Sequence, residues 1–277
     1  MPELPEMQAL CERLAELYAG SVLERLDLMQ FSALKTVAPG PHELHGAELR
    51  SVWRRGKYAI FEFEEARLML HLSQGGRVDV EPQAKSTKPR GSVARLRFEG
   101  RGSMLVKEFG TERKAALWVL TTDDPGPLEG LGPEPGSPEF EELMMNTQEK
   151  RRIHTLLRDQ RFVAGIGRGF SDDILHAAQI SPFASTASLP TEQRQALLRA
   201  TTQVLDDALL RERERSGGLP AKMGDRFIVH NRHGQPCPRC EATLHRISYG
   251  SHEVTYCPAC QTEGKVMADR RMSRLLR

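Results

Sequence analysis

The sequence predicts an α+β protein: a β-sandwich with a flanking helix, then a helical domain, then a small hairpin tied together by cysteines. Three observations predict it. One helical stretch and then short runs of alternating residues fill roughly the first 120 positions. A segment dense in proline and glycine ends the alternation, and helical periodicity takes over beyond it. Two tight cysteine pairs lie near the end of the chain. A chain of 277 residues has room for such modules, each with its own core.

The first helix is written in Met7, Leu10, Cys11, Leu14, Leu17 and Tyr18, which recur at intervals of three and four until Gly20 stops them. Pro5 suits its first turn, where a missing N–H costs nothing. Strands follow at Tyr58 to Phe63, Arg67 to Leu72, Ala94 to Phe98, Met104 to Val106 and Ala115 to Leu120, with Glu64-Glu65, Gly75-Gly76 and Glu99-Gly100 as turns. Residues 121–138 read as a linker. Apolar residues at helical spacing then mark four helices, around Phe140 to Met144, Ile153 to Leu157, Ile174 to Ala178, and a longer one from Thr191 to Leu209. The expected division is therefore 1–120, 121–138, 139–224 and 225–277.

Composition sets the outer bounds. No apolar run approaches the ~20 residues of a membrane span, and the first residues are acidic where a secretion signal is basic, so a cytoplasmic protein is expected. A formal charge of +2 and a pI of about 8.3 lean basic without reaching the pI above ~9 of a strongly nucleic-acid-binding domain.

Four of the five cysteines form Cys237-Pro-Arg-Cys240 and Cys257-Pro-Ala-Cys260, with sixteen residues between the pairs. That spacing is the pattern of a four-cysteine zinc site, closed to other ligands and hence structural: one Zn2+ under a zinc-finger β-hairpin spanning Thr243 to Tyr256. Two disulfides are the competing reading, disfavoured without a secretion signal. His245, Arg246 and His252 on the hairpin, with Lys265, Arg270, Arg271, Arg274 and Arg277 beyond it, make it basic. Cys11 belongs to the core face of the first helix.

Chemistry is suggested at the other end. Met1-Pro2-Glu3-Leu4-Pro5-Glu6 places a proline and two carboxylates at a helix start. Removal of Met1 would leave Pro2 a secondary amine, and an α-amino group with a pKa near ~7.7–8.0 is far more available at neutral pH than a lysine at ~10.4. The stretch reads equally well as an ordinary acidic helix start. Val163 to Phe170 holds three glycines before a helix expected from about Ser171, a turn able to hold a phosphate on backbone N–H groups; a plain helix-turn-helix connection fits it better on this evidence alone. Lys150-Arg151-Arg152 upstream favours phosphate, or is a solvated face.

Taken in this order, Pro-Glu-Leu-Pro-Glu after Met1, Lys57 after Arg-Arg-Gly, the glycine turn and the four-cysteine finger resemble the formamidopyrimidine-DNA glycosylase and endonuclease VIII family along essentially the whole chain. The resemblance implies a helix-two-turn-helix DNA-binding domain between sandwich and finger. It also implies a monomeric bifunctional glycosylase and abasic-site lyase acting on DNA with a damaged base or abasic site. Pro2 would be the nucleophile, Glu3 its proton shuttle, Glu6 a hydrogen-bonding support and Lys57 a cation at the phosphate or the leaving base.

In the DNA grip the chain departs from the family. Arg168, after Gly167, stands where an asparagine is usual, and His154 where a lysine is. The wedge that fills the space of a flipped base falls on Gln74, Arg113 and Ala115, with Phe109 as an alternative. His252 replaces a finger arginine. Altered substrate choice is the expectation. Two rivals remain open: a binder of damaged or abasic DNA that lacks chemistry or keeps only the lyase step, and a zinc-ribbon interaction protein.

Overall fold

The computed structural model describes residues 1–83, 85–110, 113–249 and 252–267. They form two compact units. Unit 1 is Met1–Gly130 with Leu209–Gly224, and unit 2 is Leu131–Ala208 with Asp225 onward.

Unit 1 begins with α1 (Leu4–Tyr18) and continues as eight strands: β1 (Leu23–Leu28), β2 (Ser51–Arg55), β3 (Tyr58–Glu62), β4 (Ala66–His71), β5 (Gly76–Glu81), β6 (Ser92–Phe98), β7 (Gly102–Glu108) and β8 (Ala116–Thr121). They pair antiparallel in two four-stranded sheets, ordered β1-β6-β7-β5 and β2-β3-β4-β8. The expected sandwich is present.

Strand period decides its inside. Ala59 and Phe61, Leu68 and Leu70, and Leu117 and Val119 are the inward alternates of β3, β4 and β8, packed with Met7, Leu10, Cys11 and Leu14 of α1. Cys11 lies in that core as expected, and burial pushes its thiol up to about 12. The core also takes Leu219 and Met223, because the chain returns over Leu209–Gly224. Arg13 fixes that return by donating to Gly217 O at 2.8 Å and Glu212 O at 2.9 Å, and Leu219 bridges Val78.

Three strands depart from the sequence expectation. In β1 a register shift between Leu23 and Arg25 breaks the alternation, and β2 carries two arginines in five residues. Gly76, expected in a turn, opens β5 instead. It must be glycine, since a Cβ there would lie 2.2 Å from Leu72 O.

Unit 2 holds α2 (Pro138–Asn146), α3 (Ile153–Leu157), α4 (Arg168–Ala177) and most of α5 (Thr191–Arg213). Ser137 Oγ caps α2 by accepting from Phe140 N. α4 starts three residues before the expected Ser171, at Arg168, because Gly167 is already its N-cap. A hairpin of β9 (His245–Tyr249) and β10 (His252–Tyr256) and the short α6 (Pro258–Gln261) complete the described part. Arg270, Arg271, Arg274 and Arg277 lie outside the described residues. Among the described residues no helix is long and apolar enough to cross a membrane.

Candidate functional site

In unit 1 the polar groups gather where α1 begins. Pro2 is buried, Glu3 is 3% exposed and Glu6 is fully buried. Glu6 Oε2 accepts from Glu3 N at 2.7 Å, so its carboxylate serves one of the orphan N–H groups of the helix start. The turn Gly56-Lys57 is brought beside α1 by Arg54, which donates to Gln8 Oε1 at 3.0 Å and to Gly56 O at 2.9 Å. Lys57 is 5% exposed. Two carboxylates and an ammonium buried near one helix end are costly to desolvate, which marks a site rather than a surface.

His71 is a further member that the sequence reading passed over. It pairs with Tyr58 across β3 and β4, with the two rings 4.8 Å apart. Burial, reinforced by the Lys57 charge, pushes its imidazole down to about 4, so it is a neutral donor and acceptor at physiological pH. Its signal in the sequence is faint, a single histidine at the end of an apolar strand, Ala66–His71.

Beyond it, Gln74 is exposed on the turn between β4 and β5, where Ser73 takes a positive φ of 52°. Phe109 lies alongside: its N–H donates to Gly75 O at 3.0 Å, its ring is 44% exposed, and Lys107 Nζ stands 5.6 Å from the ring centre. Arg113 is exposed, whereas Ala115 is buried. Ala115 therefore drops out as a wedge, and Phe109 is the projecting apolar side chain. Glu108 Oε1 accepts from Lys114 N at 2.6 Å and Ala115 N at 2.8 Å, which closes the base of this loop.

In unit 2 the glycine turn is stitched by Gln160. Its Oε1 accepts from Gly165 N at 2.9 Å and its Nε2 donates to Ile166 O at 2.7 Å. Gly165 sits at φ 99°, open to glycine without strain. Gly167 is buried and Arg168 is half-buried at the start of α4.

His154 is a correction. Expected as a phosphate donor, it is 3% exposed, with Nε2 3.0 Å from Asp172 Oδ1 but off the hydrogen-bond line. The other oxygen of Asp172 takes His230 Nδ1 at 2.6 Å and Thr255 N at 3.0 Å. Burial alone would raise the Asp172 carboxyl, but His154 and then His230 beside it outweigh that cost and hold it below its usual range. Asp173 accepts from the backbone N–H groups of Ile228, Val229 and His230 at 2.7, 2.8 and 3.2 Å. Two adjacent carboxylates of α4 thus fasten the chain that carries the finger. Their sequence signal is weak, since Asp172-Asp173 reads as the polar face of a helix.

The four finger cysteines are free thiols, and all four sulfurs lie within 4.8 Å of one another. Separations of 3.4 Å for Cys240–Cys260, 3.5 Å for Cys240–Cys257 and 3.9 Å for Cys237–Cys260 exceed any disulfide and match the ~3.8 Å edge of a tetrahedron with Zn–S near ~2.3 Å. The site fits one structural zinc. His176 Nε2, 3.1 Å from Cys237 Sγ, is placed to donate to that sulfur as an outer partner. His252 opens β10, and its side chain lies outside the described set.

The sandwich with buried acids and a lysine at its helix start, and the helical unit that carries a closed four-thiolate finger, together define a class of repair-enzyme architecture. Residues 1–115 match the formamidopyrimidine-DNA glycosylase N-terminal domain, 131–217 its H2TH (helix-two-turn-helix) domain, and 234–262 the zinc finger found in FPG and IleRS. The chain belongs to the formamidopyrimidine-DNA glycosylase family. It is 30% identical to the formamidopyrimidine-DNA glycosylase of Thermus thermophilus, over 95% of this chain and 100% of that one. An uncharacterized formamidopyrimidine-DNA glycosylase-like protein of Mycobacterium tuberculosis is 47% identical over 131 residues, 46% of this chain and 80% of that protein. Among solved structures, the Lactococcus lactis enzyme non-covalently bound to DNA containing an abasic site superposes with a TM-score of 0.84 at 25% identity, over 94% of this chain and 99% of that one.

Proposed function

We propose that this protein is a DNA glycosylase with abasic-site lyase activity that acts through Pro2. The observation that carries the reading is the burial of Glu3, Glu6 and Lys57 at the start of α1, a cost that a helix cap alone does not require. Removal of Met1 frees the Pro2 nitrogen. Its lone pair attacks C1′ of a flipped nucleotide, the N–C1′ bond forms as the bond to the base breaks, and the departing base takes up a proton. Loss of the N–H proton and protonation of the ring oxygen O4′ then break the C1′–O4′ bond, and the ring-opened iminium acidifies the neighbouring 2′ carbon. Glu3 moves protons at the sugar and the leaving sites, and loss of the 2′ proton expels the 3′ phosphate, with the 5′ phosphate able to follow. Glu6, held by Glu3 N, keeps the helix start in place, and Lys57 places a cation at the departing group or the phosphate.

In unit 2 the Gly167-Arg168 turn is the phosphate grip, with Arg168 a permanent cation. His154 supports it from behind. Gln74, Phe109 and Arg113 form the wedge, with Phe109 its apolar member, which offsets the unstacking that base flipping demands. The four segments 1–120, 121–138, 139–224 and 225–277 divide this work into catalysis, linkage, grip and finger, except that Leu209–Gly224 packs with the first of them. The single zinc supports the finger and takes no part in the reaction.

Borohydride trapping on abasic DNA tests the chemistry. A covalent adduct that forms with the wild type and vanishes in Pro2→Gly, together with mass spectrometry showing Met1 removed, is expected. A mature protein that keeps Met1, or no adduct at all, overturns the Schiff-base step. A binder without chemistry is the second reading, favoured by the buried Ala115 and His154; salt-sensitive affinity for abasic DNA without trapping would establish it.

A further inference from the structure

The outer face of the sheet β2-β3-β4-β8 is the wrong colour for a sandwich. One face of an antiparallel sheet packs on the core and the other normally meets water with polar side chains. Register places Arg55, Tyr58, His71 and Ala116 in one row of that outer face and Trp53, Ile60, Met69 and Trp118 in the next. Both tryptophans of the chain therefore stand in a single row.

Ile60 and Met69 are fully buried beneath this layer, with Tyr58, Trp118 and Leu128 packed on them. Tyr58 links the rings: it lies 4.8 Å from His71 and meets Trp118 edge-on at 5.8 Å. Trp53 is 37% exposed, and its Nε1 donates to Glu62 Oε1 at 3.1 Å, which fixes the indole before anything binds. Arg55, Lys57 and Arg67 lie on or beside the face with Glu62, and Asp123 stands near Arg67, so the positive charge is concentrated at the Lys57 end.

We infer that this face is a stacking platform for unpaired nucleotides of a DNA strand running on from the Lys57 end of the site. The inference rests on the DNA-processing reading above. The part-exposed rings of Trp53, Tyr58 and Trp118, lying over the buried Ile60 and Met69, give a base a flat partner without regard to sequence, and the basic residues at the Lys57 end attract the phosphates. A protein partner is disfavoured by that charge and by the half-buried rings, which offer edges and faces rather than a continuous apolar patch.

The test uses the full chain and its own two tryptophans. Intrinsic fluorescence is followed while an abasic duplex with an oligo-dT overhang, or the same duplex with blunt ends, is titrated in, and binding is read independently by anisotropy of a labelled strand. The overhang is expected to quench the fluorescence and to tighten binding about tenfold, in line with stacking of one base. Trp53→Leu, which keeps an apolar side chain without a ring, should lose most of that tenfold gain, and Trp53→Phe should restore it. Equal affinity for blunt and overhung DNA, or an overhang advantage untouched by Trp53→Leu, overturns the platform while leaving the DNA reading intact. Absence of salt-sensitive binding to either substrate would instead remove the reading beneath it.

Discussion

The sandwich and the zinc finger solve the same problem by opposite means. The sandwich buries side chains from α1 and from both sheets in one apolar core, so its stability is spread over many small contributions. Among the described residues the finger buries Val229, Leu244, Ile247, Val254 and Tyr256 with the ligands Cys237 and Cys257, and Ile228, Ala242 and Cys260 lie at the margin. So small a cluster cannot offset the ordering of two strands, and the metal must. The lesson is where each region is vulnerable. Loss of one atom type should undo the finger, whereas the sandwich should lose stability in proportion to volume removed.

Zinc removal tests this contrast hardest. Chelation, or Cys240→Ser, is expected to forfeit on the order of 10 kcal/mol of local stability and to abolish amide protection in β9 and β10, with β3 and β4 unaffected. Hydrogen exchange reads both regions at once, and equal loss in the two would erase the distinction.

Phe61→Ala comes next. Phe61 is fully buried in the sandwich core, and its truncation should cost about 3–5 kcal/mol in urea melts while leaving zinc content unchanged. A change in bound zinc would couple what is here held separate.

Acid sharpens the comparison through His71. Its value falls from 6.5 to about 4 on folding, so the unfolded chain takes up a proton as pH drops below 6.5 and the folded one does not until about 4. The stability present above pH 6.5 is therefore lost between those limits, by about 3 kcal/mol. His71→Gln should flatten that part of the pH profile of the sandwich. In the finger acid acts by a different route, protonating thiolates and releasing metal. The smallest effect belongs to the exposed pair of Arg213 and Glu12, 2.7 Å apart: Arg213→Gln should shift stability by about 0.5 kcal/mol, and by less in high salt. A loss of several kcal/mol would mean that surface charge, rather than core volume, secures the Leu209–Gly224 segment to the sandwich.

Much of the candidate site could be read because its signals are local. Glu3, Glu6 and the four cysteines are fixed by spacing along a few residues, and the inward rows of β3, β4 and β8 follow from a period of two. Arg54 shows where such reading stops. Nothing near it announces that it will tie the Lys57 turn to Gln8 on α1. His154 shows the same limit from the other side: a basic residue ahead of a glycine turn suggested phosphate, but its partner Asp172 lies across that turn on α4.

By itself the sequence determined the order of sandwich, helices and finger, the ligands of the metal and the polar start of α1, since backbone periodicity and ligand spacing are short-range properties. Only the tertiary structure decided that His71 joins Lys57, that Asp172 gathers His154, His230 and Thr255, and that Leu209–Gly224 belongs with the sandwich. A period records that a face is buried. It carries no information about which distant face covers it, because many partners bury the same apolar area with similar gain.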